Sequence, residues 1–282
     1  MKIVFQIFDS KIAPILLYWS EIWGYAVRDN IEKVQSFYYK KFLGVSNYVS
    51  SNAVLGEVGR TNMCINYYSR CVKYWCRLLH MEPHRYPKAC YEMLKSYDDN
   101  GKVNWVSHVR LLLMQTGFSY VWIQDCGHVN YFIRCFKQRC KDIQFQNWHN
   151  RLNSSTLLKY QSAFKSLLEP EMYILELTPQ KDLIRFLCKF RCLSHKLKIQ
   201  QRRYYEDVDE KLIKCSKCSY DVVEDEYHFL LVCPYYTESR KHFISSYYYK
   251  YPTKEKFNML LATKDVQQLR NIALYLKRNL PV

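Results

Sequence analysis

The stretch Lys214–Tyr236, KCSKCSYDVVEDEYHFLLVCPYY, holds two cysteines two residues apart, then a histidine, then a third cysteine directly before a proline. Cys215, Cys218, His228 and Cys233 form the pattern C-x2-C-x9-H-x4-C. Zinc favours four thiolate or imidazole ligands in a tetrahedron, and a C-x-x-C turn can place two sulfurs on one ion. Three thiolates and a neutral imidazole around a divalent ion leave one negative charge. Lys214 and Lys217 stand beside the thiolates to offset it and to lower their pKa values. A redox pair fits less well, because no βαβ pattern surrounds Cys215 and Cys218. Four protein ligands leave no open coordination position, so the expected zinc is structural rather than catalytic.

The second half of the pattern needs a particular backbone. Glu224, Asp225 and Glu226 suit the positive end of a helix, which puts His228 in its first turns. Cys233 lies five residues on, about 140° round a regular helix from His228. Pro234 disfavours helical geometry at Cys233. The helix is therefore expected to stop near Leu231 or Val232, with the chain turning Cys233 back toward the ion.

Composition supports helices and a polyanionic partner. The chain of 282 residues has only 7 glycines, with no G-x-G-x-x-G and no G-x-x-x-x-G-K phosphate loop. Few hairpin signals occur, so helices are favoured over strands. The formal charge of +16 points to nucleic acid, RNA or DNA, as the commonest polyanion. Asp9 and Lys11 interrupt the apolar N-terminus, so it does not read as a signal peptide. No apolar run approaches the roughly 18 residues needed to span a bilayer. The expectation is an intracellular protein, nuclear or cytoplasmic, with its 12 cysteines reduced and no membrane partner.

Helical spacing recurs along the chain. In TNMCINYYSRCVKYWCRLLH, residues Ile65, Tyr68, Val72, Trp75 and Leu79 share a face, and Thr61 or Asn62 can cap the start. In NWVSHVRLLLMQTG, Trp105, Val109 and Leu112 share a face and Gly117 suits the stop. TPQKDLIRFLCKFRCLSHKL has Thr178 as cap and Pro179 at the first helical position. DVQQLRNIALYLKRNL ends with basic residues in its last turns. Polar breaks fall at Asp98–Gly101, Asn153–Thr156 and Tyr204–Glu210, the last separating a large helical region from the cysteine-rich segment.

EDEYHFLLVCPYY with its preceding C-x-x-C resembles the zinc-binding segment at the C-terminal end of reverse transcriptases from non-LTR retrotransposons. Upstream, KFRCLSHKLKIQQRRYY, FKQRCKDIQFQNWHNRLNSS and IAPILLYWSEIWGY resemble further parts of that tail, in consistent order. The last is similar to the helix opening the thumb, although Trp19 stands where a small residue, usually Gly, is expected. The resemblance implies that 1–100 is thumb-like, 101–203 a helical connector, 204–250 the zinc module and 251–282 the closing helices. It also implies a tail that helps to hold template RNA and target DNA. The paired catalytic aspartates of the polymerase palm, which would bind two metals, have no counterpart. SYDDNG at 96–101 lacks a preceding apolar strand and reads as a turn. No catalytic residue is therefore assigned. RNA-directed DNA polymerase activity would require a palm in a longer parent chain.

Lys181, Arg185, Lys189 and Lys196 fall within about 150° of one face if their helix is regular, and Arg202 and Arg203 follow. Such a stripe can contact successive phosphates. Tyr204 and Tyr205 could stack on bases, but tyrosine abounds here and the pair carries little weight. Cys188, Cys192 and His195 read as packing residues rather than a second metal site. The sequence thus describes a mainly α protein with a small C-terminal zinc-binding module and a nucleic-acid-binding surface. The alternative is a zinc-stabilised module that presents its surface to protein partners.

Overall fold

Apolar side chains at three- and four-residue spacing produce a mainly helical architecture. A computed structural model describes residues 2–124, 127–155, 159–177, 180–204 and 209–281. Among these there is no β-strand, only an isolated antiparallel bridge between Lys214 and Val223. No helix among them is long and apolar enough to cross a membrane. The helices that frame the cores are α1 (Asp29–Leu43), α2 (Ser51–Val58), α3 (Cys64–Leu79), α4 (Tyr86–Asp99), α5 (Trp105–Gln115) and α6 (Val129–Ser154). They continue with α7 (Lys181–Arg191), α8 (Ile199–Tyr204), α9 (Lys254–Leu261) and α10 (Val266–Asn279).

The chain forms two compact units, each assembled from separated segments: an N-proximal unit of 2–35 and 61–147, and a C-proximal unit of 36–60 and 148 onward. In the N-proximal unit, Ile65, Val72 and Trp75 of α3 are buried with Val109 and Leu112 of α5 and with Phe132 and Phe136 of α6. Tyr68, Leu79 and Trp105 pack at the margin of this core, as their spacing predicts. Trp75 stacks on Trp122 with centroids 5.4 Å apart.

The start of α3 departs from expectation. Neither Thr61 nor Asn62 caps it; the cap position is Met63, whose side chain makes no capping bond. Instead Glu32 of α1 accepts the amide protons of Met63 and Cys64, both at 2.9 Å. A carboxylate from another helix thus satisfies two orphan donors and complements the positive end of the dipole. Burial nevertheless pushes the Glu32 carboxyl above its ordinary pKa, against the opposing pull of those N–H groups.

The start of α5 has a cap that sequence reading passed over. The Asn104 side chain accepts from the amide of Val106, and Ser107 Oγ accepts from the amide of Asn104, a reciprocal box. Gly117 ends the segment at φ 82°, a conformation that costs glycine little.

SYDDNG is the end of a helix that leads into a turn. Tyr97, Asp98 and Asp99 are the last residues of α4, Asn100 is its C-cap, and the amide of Gly101 donates to the carbonyl of Asp98. Asp98 is buried and accepts from Ser107 Oγ at 2.5 Å and from Arg110 Nη2 at 3.0 Å. This aspartate ties α4 to α5 rather than pointing at a metal.

In the C-proximal unit, α7 packs along α10. Leu183, Ile184, Leu187 and Phe190 bury against the face that carries Leu269, Ile272, Ala273 and Leu276. Asp265 caps α10 by accepting from the amide of Gln267 at 3.0 Å. Thr178 and Pro179 lie outside the described residues.

Under α7 runs a buried ionic network. Arg191 Nε pairs with Glu57 of α2 at 2.9 Å and its Nη2 with Glu171 at 3.0 Å. Tyr173 donates to Glu57 at 2.7 Å, and Gln161 donates to its other oxygen at 3.0 Å. Arg191 also bonds the carbonyl of Leu261 and lies 4.4 Å above the ring of Phe164. Its removal leaves the fully buried Glu57 carboxylate without its ion pair. Arg191→Met should lower unfolding free energy by about 3–5 kcal/mol, and an urea melt that finds less than about 1 kcal/mol would refute the network's role.

Trp19 holds φ 53°, the left-handed region, and is exposed. That conformation costs a residue with a Cβ roughly 1–2 kcal/mol. Trp19→Gly is expected to raise stability by roughly 0.5–1 kcal/mol, after the added freedom of the unfolded chain is discounted. Trp19→Ala should give no gain, because alanine keeps the strain and loses the stack on Tyr18. Thermal melts of the two variants decide the point.

Candidate metal centre and basic surface

The loop from Lys214 to Val223 supplies the first two ligand candidates. The bridge at its ends is reinforced by Cys215 N–H donating to Val222 O at 2.8 Å and Glu224 N–H donating to Ile213 O at 2.9 Å. This closed loop holds Cys215 and Cys218 on one side of the chain reversal.

His228 and Cys233 reach the same point by a backbone that the sequence reading missed. Residues His228–Val232 form a π-helical turn, closed by the amide of Cys233 donating to the carbonyl of His228 at 2.7 Å. An i to i+5 turn brings residues five apart round to the same side, which a regular α-helix would not do. Helical geometry stops at Val232, and Cys233 adopts φ −57°, ψ 122°, the extended state favoured before proline. The expected stop is therefore observed, but it is the wide turn that aligns the two side chains.

The four ligand atoms all lie within 4.8 Å of one another, the one such group of this kind among the described residues. Cys215 Sγ is 3.9 Å from Cys233 Sγ, and Cys218 Sγ is 3.5 Å from His228 Nε2. Cys215, His228 and Cys233 are buried, while Cys218 is partly exposed. These four residues could hold a metal ion. Burial pushes the Cys215 thiol up and the Cys233 thiol to about 12, while burial, then Arg240, lowers the His228 imidazole. The histidine is thus neutral and ready to ligate, whereas the thiols must give up protons to do so.

The charges expected to assist the thiolates also have other contacts. Lys214 pairs with Asp221 at 2.6 Å, and Lys217 sits 5.3 Å over the ring of Tyr235. The cation that supports the ligand backbone is Arg240, which is buried. Its Nε donates to Leu230 O and its Nη2 to Cys233 O, both at 2.9 Å. Tyr275 of α10 adds a bond to Phe229 O at 2.9 Å. Phe229, Leu230 and Leu231 are buried and anchor the turn in the core of the unit.

The acidic run 224–226 has three separate jobs. Glu224 accepts from the amide of Lys198 at 3.1 Å, just before α8. Asp225 accepts from the amide of His228 at 2.7 Å and so caps the turn that carries the ligand. Glu226 is buried against His195 Nε2 at 3.0 Å and Arg203 at 2.5 Å. Burial alone would raise its carboxyl, but hydrogen bonds and charge from His195 and Arg203 hold it at about 2.

No family model, curated protein or solved structure matches the chain.

The six basic residues expected to contact nucleic acid are not equivalent. Lys181 and Arg185 are exposed and Lys189 half-buried, on the side of α7 away from Leu183, Leu187 and Phe190. Among the described residues, no carboxylate pairs with Lys181 or Arg185. The stem of Arg185 runs against Gly44, where an added Cβ would come within 3.2 Å of it. Lys196 does not continue this stripe, because α7 ends at Arg191 and Leu193 turns the chain at φ 60°. Lys196 and Arg202 are exposed, whereas Arg203 is committed to Glu226. Tyr205 lies outside the described residues. His195 goes to Glu226, and the 3.8 Å pair of Cys188 and Cys192 gains no third ligand from it.

Cys215→Ser and His228→Ala should each abolish stoichiometric metal binding, measured as metal per chain after purification. Arg240→Ala keeps all four ligands but releases two carbonyls. Chelator competition should show its affinity about 10–100-fold weaker. Because thiol protons are displaced, affinity should rise with pH through neutrality, about tenfold per pH unit for each proton released.

Proposed function

We propose that the chain is the thumb and metal-binding tail of a reverse transcriptase of the non-LTR retrotransposon type, and that it binds RNA or DNA with a structural zinc and without a polymerase site of its own. The observation that carries the binding function is the pairing, within one unit, of a closed Cys3His group with an unneutralised arc of cations on α7.

Zinc is the metal that the ligands suit best. Bonds of about 2.3 Å to sulfur and 2.0–2.1 Å to nitrogen give tetrahedral edges of about 3.8 Å between sulfurs and about 3.6 Å between sulfur and nitrogen. Two of the ligand-atom separations, 3.9 Å and 3.5 Å, match those edges, and all lie within 4.8 Å. Three thiolates also favour a soft ion over calcium or magnesium. Four protein ligands leave no position for a reacting water, so the ion holds the fold of the loop and the π-turn.

Trp19 supports the family reading from an independent direction. The resembling family usually carries glycine at that place, and the backbone here has the positive φ for which glycine is suited.

Nucleic acid then lies along Lys181, Arg185 and Lys189, with Lys196 and Arg202 as further phosphate contacts. Arg203 serves indirectly, by fixing α8 to Glu226. The compartment in this reading is the nucleus or the cytoplasm.

The test is titration of the zinc-loaded protein with labelled RNA and single-stranded DNA at several salt concentrations. Affinity should fall steeply with salt, and Lys181→Glu with Arg185→Glu should weaken binding by at least about tenfold and flatten the salt slope by about two phosphate contacts. Absence of salt-dependent binding removes this function. A protein partner whose binding survives the same substitutions would favour an interaction module instead.

A further inference from the structure

The N-proximal unit contains a cleft that the proposed function does not use. Its volume is about 740 Å³, within the range of about 300–1,000 Å³ in which small-molecule sites fall. Arg70, Lys73 and Arg77 of α3 line it. They stand at i, i+3 and i+7, so they share one face of the helix. Their face is opposite the one that buries Val72, Trp75 and Leu78 in the core. Arg85, from the turn that follows α3, adds a fourth cation.

These cations are exposed, and among the described residues none has a carboxylate within ion-pair distance. Glu21 and Glu82 also line the cleft, so positive charge is in excess. The guanidinium of Arg70 is held in place by donating to Leu17 O at 2.9 Å, which lowers the entropy lost on binding a ligand. Basic residues toward the C-terminal end of α3 also complement its dipole. That explains Arg77, the basic residue of the last turn, but not Lys73, the tethered Arg70 or Arg85, which lies beyond the helix. Tyr74, Met81 and Val129 give the cleft an apolar side.

Guanidinium forks match phosphate oxygens in pairs, and a lysine adds a mobile point charge. We propose that this cleft binds a small polyphosphate ester, with its phosphates on Arg70, Lys73, Arg77 and Arg85 and its organic part against Tyr74, Met81 and Val129. The site is separate from the Cys3His group and does not depend on the nucleic-acid reading.

The experiment is calorimetric titration of the full chain with ATP and, separately, with inorganic triphosphate at near-physiological salt. ATP should bind saturably, one per chain. Lys73→Glu with Arg77→Glu should weaken it by at least about tenfold, while circular dichroism shows the helices intact. Tyr74→Ala should weaken ATP and leave triphosphate unchanged, which separates recognition of the ester from recognition of phosphate alone. Equal loss with both probes would identify a phosphate site without ester recognition and overturn the ester assignment. Absence of saturable ATP binding, or binding that the double charge reversal leaves intact, would overturn the site. So would equal weakening by Lys181→Glu with Arg185→Glu, since that pattern means non-specific attraction to the whole basic chain.

Discussion

Everything on the outer face of α7 depends on one side chain on its inner face. Arg191 has 1% of its side chain exposed, and Glu57, its partner, 0%. A guanidinium so placed must be neutralised and hydrogen-bonded, because an unpaired charge in the interior is too costly to retain. Glu57 and Leu261 O accept hydrogen bonds from its Nε and Nη1, Glu171 lies at ion-pair distance from Nη2, and the rings of Phe164 and Tyr173 flank it. These groups come from α2, the 164–173 segment and the end of α9. The rotation of α7 about its axis is thereby fixed. With Arg191 and the apolar residues Leu183, Leu187 and Phe190 turned inward, Lys181, Arg185 and Lys189 fall on the arc opposite those apolar residues. A basic surface is thus set by a buried ion network as much as by the cations that form it.

The same logic governs the metal region. The acidic triplet Glu224, Asp225 and Glu226 reads in sequence as one feature, a negative start for one helix. In the fold each carboxylate serves a different element: Glu224 the approach to α8, Asp225 the turn bearing His228, and Glu226 the pair His195 and Arg203. Three adjacent residues point in three directions because the chain leaves the bridge at Val223 and begins to wind only at Glu226. The four candidate ligands are therefore not an isolated knuckle. Through Glu226 they are connected to α8 and to the segment that follows α7, and through Arg240 and Tyr275 to the core of their unit.

The parts of this structure that were legible in the sequence share one property: they are local. The grouping of Cys215, Cys218, His228 and Cys233 follows from C-x-x-C and a nearby His and Cys. The faces of α3 and α5 follow from spacing, and the stop at Gly117 from its neighbours. What sequence reading missed is set by partners far along the chain. Glu32 caps α3 across about thirty residues, although Glu32 has no motif to reveal it. Glu57 and Arg191 are separated by 134 residues. Lys214 and Lys217 look like companions of the thiolates because they are adjacent in sequence, yet the supporting cation is Arg240, whose carbonyl partners cannot be read from a string. The π-turn is a middle case. Its five-residue spacing and Pro234 were visible, but regular helical geometry led to a break where the chain instead winds more widely.

The formal charge of +16 also has to be read by position. Arg191, Arg203 and Arg240 are basic residues that contribute little to the field outside, since carboxylates or carbonyls inside the fold occupy them. Lys165 is likewise bound to Glu171. Buried cations of this kind act as fasteners, and their replacement would damage the fold before it altered any field. The excess that a polyanion can meet resides in side chains such as Lys181 and Arg185 in one unit and Lys73 and Arg77 in the other. Exposed charges of this kind are worth little to stability, so the fold does not require them where they are. Burial of the apolar face places polar residues on the outward arc of each helix, but it does not select their sign.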